Sequence, residues 1–151
     1  VNSKNILTFA EHLCAKDKVK MTAHRRNILR LMSHKKKALS AYEITQLLKD
    51  TTKTDIPTMS VYRALSFLED RQLIHKISSI NKYTICTHIM CEHEHGMTRF
   101  AVCSKCLDVK ELLSKNTINN SIEKELEAID FHLSQKKIEL IGLCSDCNKN
   151  L

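Results

Sequence analysis

Glycine and proline are scarce in this chain, with two glycines and one proline among 151 residues. So few glycines exclude a collagen-like chain, a Gly-rich phosphate loop and a dinucleotide-binding fingerprint. No apolar run approaches the roughly 18 residues that a membrane helix needs. The first residues also lack the apolar region of a signal peptide. These absences predict a cytoplasmic protein with no membrane partner and no small-molecule substrate, and they argue against a nucleotide-dependent enzyme.

The overall amino-acid composition predicts a folded, basic protein. Hydrophobic residues make up 42% of the chain and charged residues 27%, and the formal net charge is +7. The charge is uneven, because residues 1–80 carry 15 Lys and Arg against 7 Asp and Glu, while residues 81–151 carry 9 against 10. A basic first half predicts a polyanion such as nucleic acid as partner. The three consecutive lysines at positions 35–37, taken alone, are better explained as a solvated surface.

The cysteines are concentrated in the second half of the chain, whereas the positive charge is concentrated in the first. Only Cys14 lies in the first half, and the other six cysteines follow residue 80. In the reducing compartment expected here, clustered thiols favour metal binding over disulfides. Charge and cysteine content together predict a domain of residues 1–80, a hinge of residues 81–86 and a second domain of residues 87–151.

Helical periodicity and capping signals organise the first domain. Residues 3–16 have the apolar spacing of an amphipathic helix. Thr22 is a candidate N-cap of a second helix, and Ser40 with Glu43 forms a capping-box pattern at the start of a third. The fourth helix is predicted over residues 58–70, directly after Pro57.

The fourth helix and the segment after it suggest DNA binding. An apolar stripe along this helix leaves Arg63 on the opposite face. Two alternating runs, 73–77 and 82–86, predict a hairpin, and helices followed by a hairpin are typical of a winged helix-turn-helix. There the last helix enters the major groove, where an arginine can donate two hydrogen bonds to guanine. The alternative is a helical packing module in which Arg63 is only a solvated charge.

Two Cys-x-x-Cys pairs mark the second domain, Cys103 with Cys106 and Cys144 with Cys147. Each pair can supply two sulfurs to one Zn²⁺, and two pairs complete a closed tetrahedral site that is structural. Segment 107–143 between them shows a helical pattern and then a strand pattern, which predicts an α+β unit. Ordinary buried thiols, or a thiol oxidoreductase with a free reactive pair, are the alternatives.

Further candidate metal ligands flank the predicted domain boundary. A His-Glu-x-x-His protease motif is excluded because Met97 stands where the second histidine is needed. A zinc deaminase is disfavoured because Val102, rather than proline, precedes Cys103. Mixed nitrogen, sulfur and oxygen ligands at a boundary favour a metal sensor that orders the two domains when it is loaded. The candidates are His75, Cys86, His88, Cys91, His93, His95 and Glu111.

Several stretches resemble the ferric uptake regulator (Fur) superfamily over nearly the whole chain. Met21-Thr22-Ala23-His24-Arg25-Arg26 is similar to its Leu-Thr-x-x-Arg opening, and Ser60-Val61-Tyr62-Arg63-Ala64-Leu65 to its Thr-Val-Tyr-Arg-x-Leu recognition helix. Within the superfamily, Leu39-Ser40-Ala41-Tyr42, Ile74-His75-Lys76 and Tyr83-Thr84-Ile85-Cys86 are most similar to the zinc uptake regulator branch. The resemblance implies an α+β protein, with an N-terminal winged helix-turn-helix followed by a small α/β dimerisation domain held together by zinc.

The resemblance also implies two Zn²⁺ per chain. The structural ion would be held by the four paired cysteines, Cys103, Cys106, Cys144 and Cys147. The regulatory ion would be held by His75, Cys86, His95 and Glu111, with His93 as the alternative to His95. The loop from Thr87 to His95 is longer than expected for the branch, so its alignment leaves both histidines open. Tyr42 and Arg63 would contact bases, and Ser60, Tyr62 and Arg25, which stand in the same motifs, are further candidates for DNA contact.

The function implied is that of a transcriptional repressor and not of an enzyme. A zinc-loaded homodimer would bind palindromic double-stranded operator DNA and repress zinc-uptake genes, with zinc acting as corepressor. An iron, nickel or peroxide sensor on the same scaffold is the nearest alternative. A non-regulatory zinc-containing adaptor that binds protein is the more distant one, and a weak salt dependence of its binding would distinguish it.

Overall fold

The structure is a computed structural model that describes residues 3–35, 37–89, 97–112 and 116–149. The chain divides into two compact units, residues 1–91 and residues 92–151. The predicted α+β class is confirmed, since helices and two small sheets are present. No helix in the described part of the chain is long and apolar enough to cross a bilayer.

The first unit contains four helices and a two-stranded sheet. Its elements are α1 (Ser3–Lys16), α2 (Ala23–Lys35), α3 (Ala41–Thr52), α4 (Thr58–Asp70), β1 (Ile74–Ile77), a 3-10 turn (Ser78–Ile80) and β2 (Lys82–Ile85). The bounds predicted for the first and fourth helices are confirmed. Strands β1 and β2 pair antiparallel, with Ile74 opposite Ile85. Most of the segment predicted as a hinge therefore forms β2.

The predicted caps of the first unit are present. The backbone N–H of Arg25 donates to Thr22 Oγ1 at 3.4 Å. Ser40 and Glu43 exchange the two reciprocal hydrogen bonds of a capping box at the start of α3. These side chains satisfy backbone donors that would otherwise lack intrahelical partners.

A continuous apolar core holds the first unit together. Side chains from all four helices and from β1 and β2 contribute to it. On α4 the predicted apolar stripe is fully inside, with each residue at most 5% exposed: Val61, Ala64, Leu65 and Leu68. The opposite face of α4 is thereby left at the surface.

In the part of the second unit that the structure describes, a three-stranded sheet is accompanied by two helices. Its elements are β3 (Thr98–Cys103), β4 (Val109–Leu112), α5 (Asn116–Ala128), β5 (Lys137–Gly142) and α6 (Ser145–Asn148). The sheet order is β4-β3-β5, with β4 antiparallel and β5 parallel to β3. The predicted helix and last strand correspond to α5 and β5, whereas β3 and β4 were not foreseen. Both strands are short, and neither alternates regularly between apolar and polar residues, so periodicity alone gives little signal there.

Candidate metal centre and nucleic-acid interface

The end of strand β3 brings the two cysteine pairs together. Cys103 is the last residue of β3 and lies in register with Gly142, the last residue of β5. The N–H of Ser104 donates to the carbonyl of Gly142 at 2.8 Å, which extends the pairing into the turn that carries Cys106. Cys144 follows β5 as the N-cap of α6. Parallel pairing of two strands therefore places both Cys-x-x-Cys turns at one edge of the sheet.

The four sulfurs are spaced as a tetrahedral zinc site requires. All four lie within 4.8 Å of one another, and Sγ of Cys106 and Sγ of Cys144 are 3.7 Å apart. Two sulfurs bound to one Zn²⁺ at ~2.3 Å in tetrahedral geometry are separated by about 3.8 Å. The residues present thus fit a closed four-thiolate zinc centre made of Cys103, Cys106, Cys144 and Cys147.

Backbone amides prepare one of these thiols for metal binding. Backbone hydrogen bonds from Cys106 and Cys144, with a further one from Lys105, lower the pKa of Cys103 to about 6. The hydrogen bond from the Cys144 N–H measures 3.4 Å. A thiolate is the form that ligates zinc, so this environment favours the form of Cys103 that binds the ion. These donors could not be predicted from the sequence, because only the Cys-x-x-Cys spacing indicates the turn that supplies them.

Two other thiols of the cluster, Cys147 and Cys106, resist ionisation. Hydrogen bonding to Cys144, together with desolvation, raises the pKa of Cys147 to about 12. The pKa of Cys106 is also raised, chiefly by its hydrogen bond with Cys103 and by desolvation, although a backbone hydrogen bond from Asp108 opposes this. Crowded thiols that share protons are costly to ionise together unless a cation compensates their charge.

In the first unit, two of the predicted regulatory ligands are neighbours. His75 lies on β1 and Cys86 directly follows β2. A ring nitrogen of His75 and Sγ of Cys86 lie within 4.8 Å of one another, and Cys86 is only 1% exposed. The N–H of Cys86 donates to the carbonyl of Leu73 at 3.1 Å, which fixes the backbone of this residue against the hairpin. A nitrogen and a sulfur at this separation suit zinc.

The other predicted regulatory ligands belong to the second unit or fall outside the described residues. Glu111 is on β4 of the second unit, opposite Phe100 of β3. His93 and His95, as well as Cys91, fall outside the residues that the structure describes. His88 lies in the turn after β2 and is half-buried.

The residues predicted to contact DNA lie on helices α2, α3 and α4 of the first unit and differ in exposure. Tyr62 of α4 is 42% exposed, and Arg63 beside it is exposed as well. Tyr42, in the first turn of α3, is 67% exposed. Ser60 is half-buried in the first turn of α4. An exposed arginine on a helix of groove-compatible width is the arrangement that base reading in the major groove requires.

Arg25 is held more firmly than a solvated arginine. Its guanidinium carbon lies 3.3 Å from the ring centroid of Phe67, and its Nη1 donates to the carbonyl of Lys20 at 2.6 Å. The guanidinium of Arg71 lies 4.0 Å from the same ring centroid. Cation–π stacking of this kind connects α2 to α4, and no local pattern of residues indicates it.

Comparison with known proteins supports the resemblance. The model of the Ferric uptake regulator family matches residues 16–141. The chain is 34% identical over 145 residues to the zinc uptake regulation protein of Escherichia coli (strain K12), covering 96% of this chain and 82% of that protein.

Two solved structures are similar over almost the whole chain. One is a zinc uptake regulator complexed with zinc and DNA, with a TM-score of 0.86, 30% identity, and coverage of 99% of this chain and 97% of the other. The second is holo XcZur, with a TM-score of 0.80, 26% identity, and coverage of 98% and 99%. The family match and the level of identity to the E. coli protein lead to one conclusion: the chain belongs to the ferric uptake regulator family.

Proposed function

We propose that this protein is a zinc-responsive transcriptional repressor that, when loaded with zinc, binds palindromic operator DNA as a homodimer and represses zinc-uptake genes. The observation that carries the proposal is the match, over 99% of this chain, to a zinc uptake regulator solved with zinc and DNA. A regulator of this kind is not an enzyme, and its DNA partner puts its action in the cytoplasm.

The proposed DNA-reading element is α4. Its buried stripe packs on the core of the first unit, so that Tyr62 and Arg63 project from the unit that carries most of the positive charge. Lysines and arginines contribute affinity through phosphates, whereas an arginine at a base edge contributes sequence preference. Tyr42, Ser60 and Arg25 are proposed as additional DNA contacts.

Two zinc sites with different tasks are proposed. The four-cysteine centre would hold a structural ion, which stabilises folding because the ligands do not meet in the unfolded chain. The regulatory site would use His75 and Cys86 together with Glu111 and His95, or His93 in its place. An ion that draws ligands from both units restricts how they move, which lowers the ordering cost of binding two half-sites.

Exposed apolar side chains in the second unit support the homodimer. Large contiguous apolar surface is uncommon on monomers and marks interaction sites. Among the described residues of the second unit, the large apolar side chains that are 41% to 70% exposed are Ile118, Ile129, Phe131, Leu140, Ile141 and Leu143. Replacing Ile141 by Asp should dissociate the dimer in analytical ultracentrifugation while leaving the far-UV circular dichroism of the chain unchanged. A variant that remains dimeric would exclude this surface.

A metal titration of DNA binding tests the function itself. Zn²⁺ should raise the affinity for a selected operator by about 5- to 150-fold, the range of typical allosteric couplings, and more than Fe²⁺, Mn²⁺ or Ni²⁺ does. A stronger response to one of the other metals would favour the iron or nickel sensor of the same family.

Two variants test the proposed roles of Arg63 in DNA reading and of Cys86 in the regulatory zinc site. Arg63→Ala should cost about 1 to 3 kcal/mol on operator DNA and flatten the sequence preference. Cys86→Ser should leave a folded dimer that retains the structural ion and no longer gains affinity with zinc. A Cys86→Ser protein that still responds to zinc would remove Cys86 from the regulatory site.

A further inference from the structure

Tyr42 has an exposed side chain, so the position of its phenol depends on the backbone that carries it. It is the second residue of α3, between Ala41 and Glu43. Helix ends fray unless side chains or neighbouring elements hold them. The position of the Tyr42 phenol therefore depends on the contacts that hold the first turn of α3.

Glu43 holds this turn from within. Its Oε2 accepts a hydrogen bond from the backbone N–H of Ser40 at 2.7 Å, and its own N–H donates to Ser40 Oγ at 3.1 Å. Tyr42 lies between these two residues. A capping box of this kind fixes the turn relative to its own helix, but it does not fix the helix relative to the hairpin.

Lys82 supplies that second connection. Its Nζ lies 3.1 Å from Glu43 Oε1 and 3.0 Å from Oε2, across 39 positions of sequence. The lysine side chain is only 19% exposed, unlike the solvated lysines of surface ion pairs, which contribute little. The hydrogen bond from Ser40 and the contact with Lys82 keep the pKa of Glu43 below its usual range.

The residue after Lys82 extends the same connection. Tyr83 and Leu39 exchange two backbone hydrogen bonds, of 2.7 Å and 2.9 Å, which add the segment before α3 to the edge of β2. The Tyr83 ring is buried, which raises its pKa, and Glu69 and Tyr62 of α4 add to that effect. Strand β2 is thus in contact with the first turn of α3 and in electrostatic reach of Tyr62.

We propose that Lys82 is a positioning residue for base reading by Tyr42, because it fixes the first turn of α3 against strand β2 through the carboxylate of Glu43. The inference rests on the proposed function, which makes Tyr42 a DNA contact. Lys82 acts through Glu43 and does not itself read a base. Loss of its charge broadens the positions that Tyr42 occupies and weakens preference at the base pairs that Tyr42 reads.

The test uses the zinc-loaded full-length dimer and a pool of duplexes with a randomised central segment, sequenced after selection. Tyr42→Ala first identifies the positions that depend on Tyr42, and Arg63→Ala identifies those that depend on α4. Lys82→Met keeps the aliphatic stem and removes the ammonium group. It should weaken preference about 3- to 10-fold at the Tyr42-dependent positions only, and add nothing in a Tyr42→Ala background.

Two matched variants separate positioning from a general loss of charge. Lys49→Met removes the same charge from the other end of α3, where Lys49 and Asp55 form an exposed pair at 3.3 Å. It should leave the preference profile unchanged. Glu43→Gln retains a capping acceptor and loses the ion pair, so it should reproduce the profile of Lys82→Met. A Lys82→Met profile that equals the wild type, or that is weakened uniformly at all positions, overturns the proposal.

Amide hydrogen exchange provides a measurement that does not depend on DNA. In the zinc-loaded protein, Lys82→Met should speed exchange of the Glu43 amide by about 3- to 10-fold, while Lys49→Met leaves it unchanged. If wild-type protein shows no base preference with zinc, the proposed function fails, and faster exchange still supports the connection between β2 and α3. Unchanged exchange in Lys82→Met overturns that connection.

Discussion

The two units of this chain are stabilised in different ways. Among its described residues, the first has a continuous core of 22 buried side chains. In the second, among the residues described, only Met97, Phe100, Val102 and Cys103 are buried apolar side chains. Apolar burial stabilises a domain in proportion to the area removed from water, so the second unit has too little core of its own. The four-cysteine centre is expected to supply the stability that this small core lacks.

The largest expected effect is on the second unit, through its metal centre. Cys103→Ser should abolish tight binding of the structural ion and unfold this unit, because structural zinc contributes about 10 kcal/mol or more of apparent free energy in small metal-stabilised domains. Zinc content and thermal unfolding followed by circular dichroism measure the result. The first unit should keep its own transition.

Cys14→Ala is the matched control for that experiment. Cys14 is also buried, at 1% exposed, but it lies in α1 of the first unit. It should retain the zinc content of the wild type. A Cys103→Ser protein whose second unit melts like the wild type would show that its core suffices without the ion.

The next largest effect is expected in the core of the first unit. Leu65 is completely buried on α4, and Leu65→Ala should lower the free energy of unfolding by about 2 to 5 kcal/mol through lost burial and a residual cavity. Met59, on the same helix, is 63% exposed, and Met59→Ala should change stability by less than about 0.5 kcal/mol. Denaturant titration of the zinc-loaded protein provides both values. If both variants lost the same stability, the burial contrast along α4 would be wrong.

A smaller effect is expected from relieving backbone strain at one position in each unit. The scarcity of glycine leaves Gln72 with φ of 55° and Leu107 with φ of 61°, in the left-handed region that glycine occupies without cost. Gln72→Gly and Leu107→Gly should each stabilise their own unit by about 0.5 to 1 kcal/mol, since relief of strain exceeds the added chain entropy. Differential scanning calorimetry should show one transition rise in each variant. Destabilisation would show that the side chains contribute more than the strain costs.

The smallest expected effect is on the number of protons that the four-cysteine centre releases when it binds zinc. Because the pKa of Cys103 is lowered to about 6, this thiol is already mostly ionised at pH 7. For protein whose second unit keeps its fold after chelation, as circular dichroism would show, rebinding of the structural ion should then release fewer than four protons at pH 7. The number should rise as the pH falls below about 6, where zinc affinity also falls. Calorimetry in buffers of different ionisation enthalpy measures the number. Release that does not change between pH 7 and pH 5.5 would contradict the lowered pKa.

Local signals predicted the first unit well and the second only in part. Amphipathic periodicity placed α1 and α4, and the capping box placed the start of α3, because each depends on residues within a few positions of one another. In the second unit the helix and last strand were found, but β3 and β4 were not. The residues at the ends of the α5 pattern, Ile118 and Ile129, are 43% and 70% exposed, so apolar spacing there does not indicate burial within the chain.

The sequence by itself determined the helices of the first unit, the four thiols of the zinc centre and the arginine and tyrosines proposed for DNA reading, since spacing and side-chain chemistry are local properties. Tertiary structure decided the rest. Parallel pairing of β3 with β5 brought Cys103 to Cys144, the hairpin brought His75 to Cys86, and Lys82 reached Glu43 across 39 positions. Such contacts depend on strand register and packing between distant segments, and no short stretch of sequence encodes them.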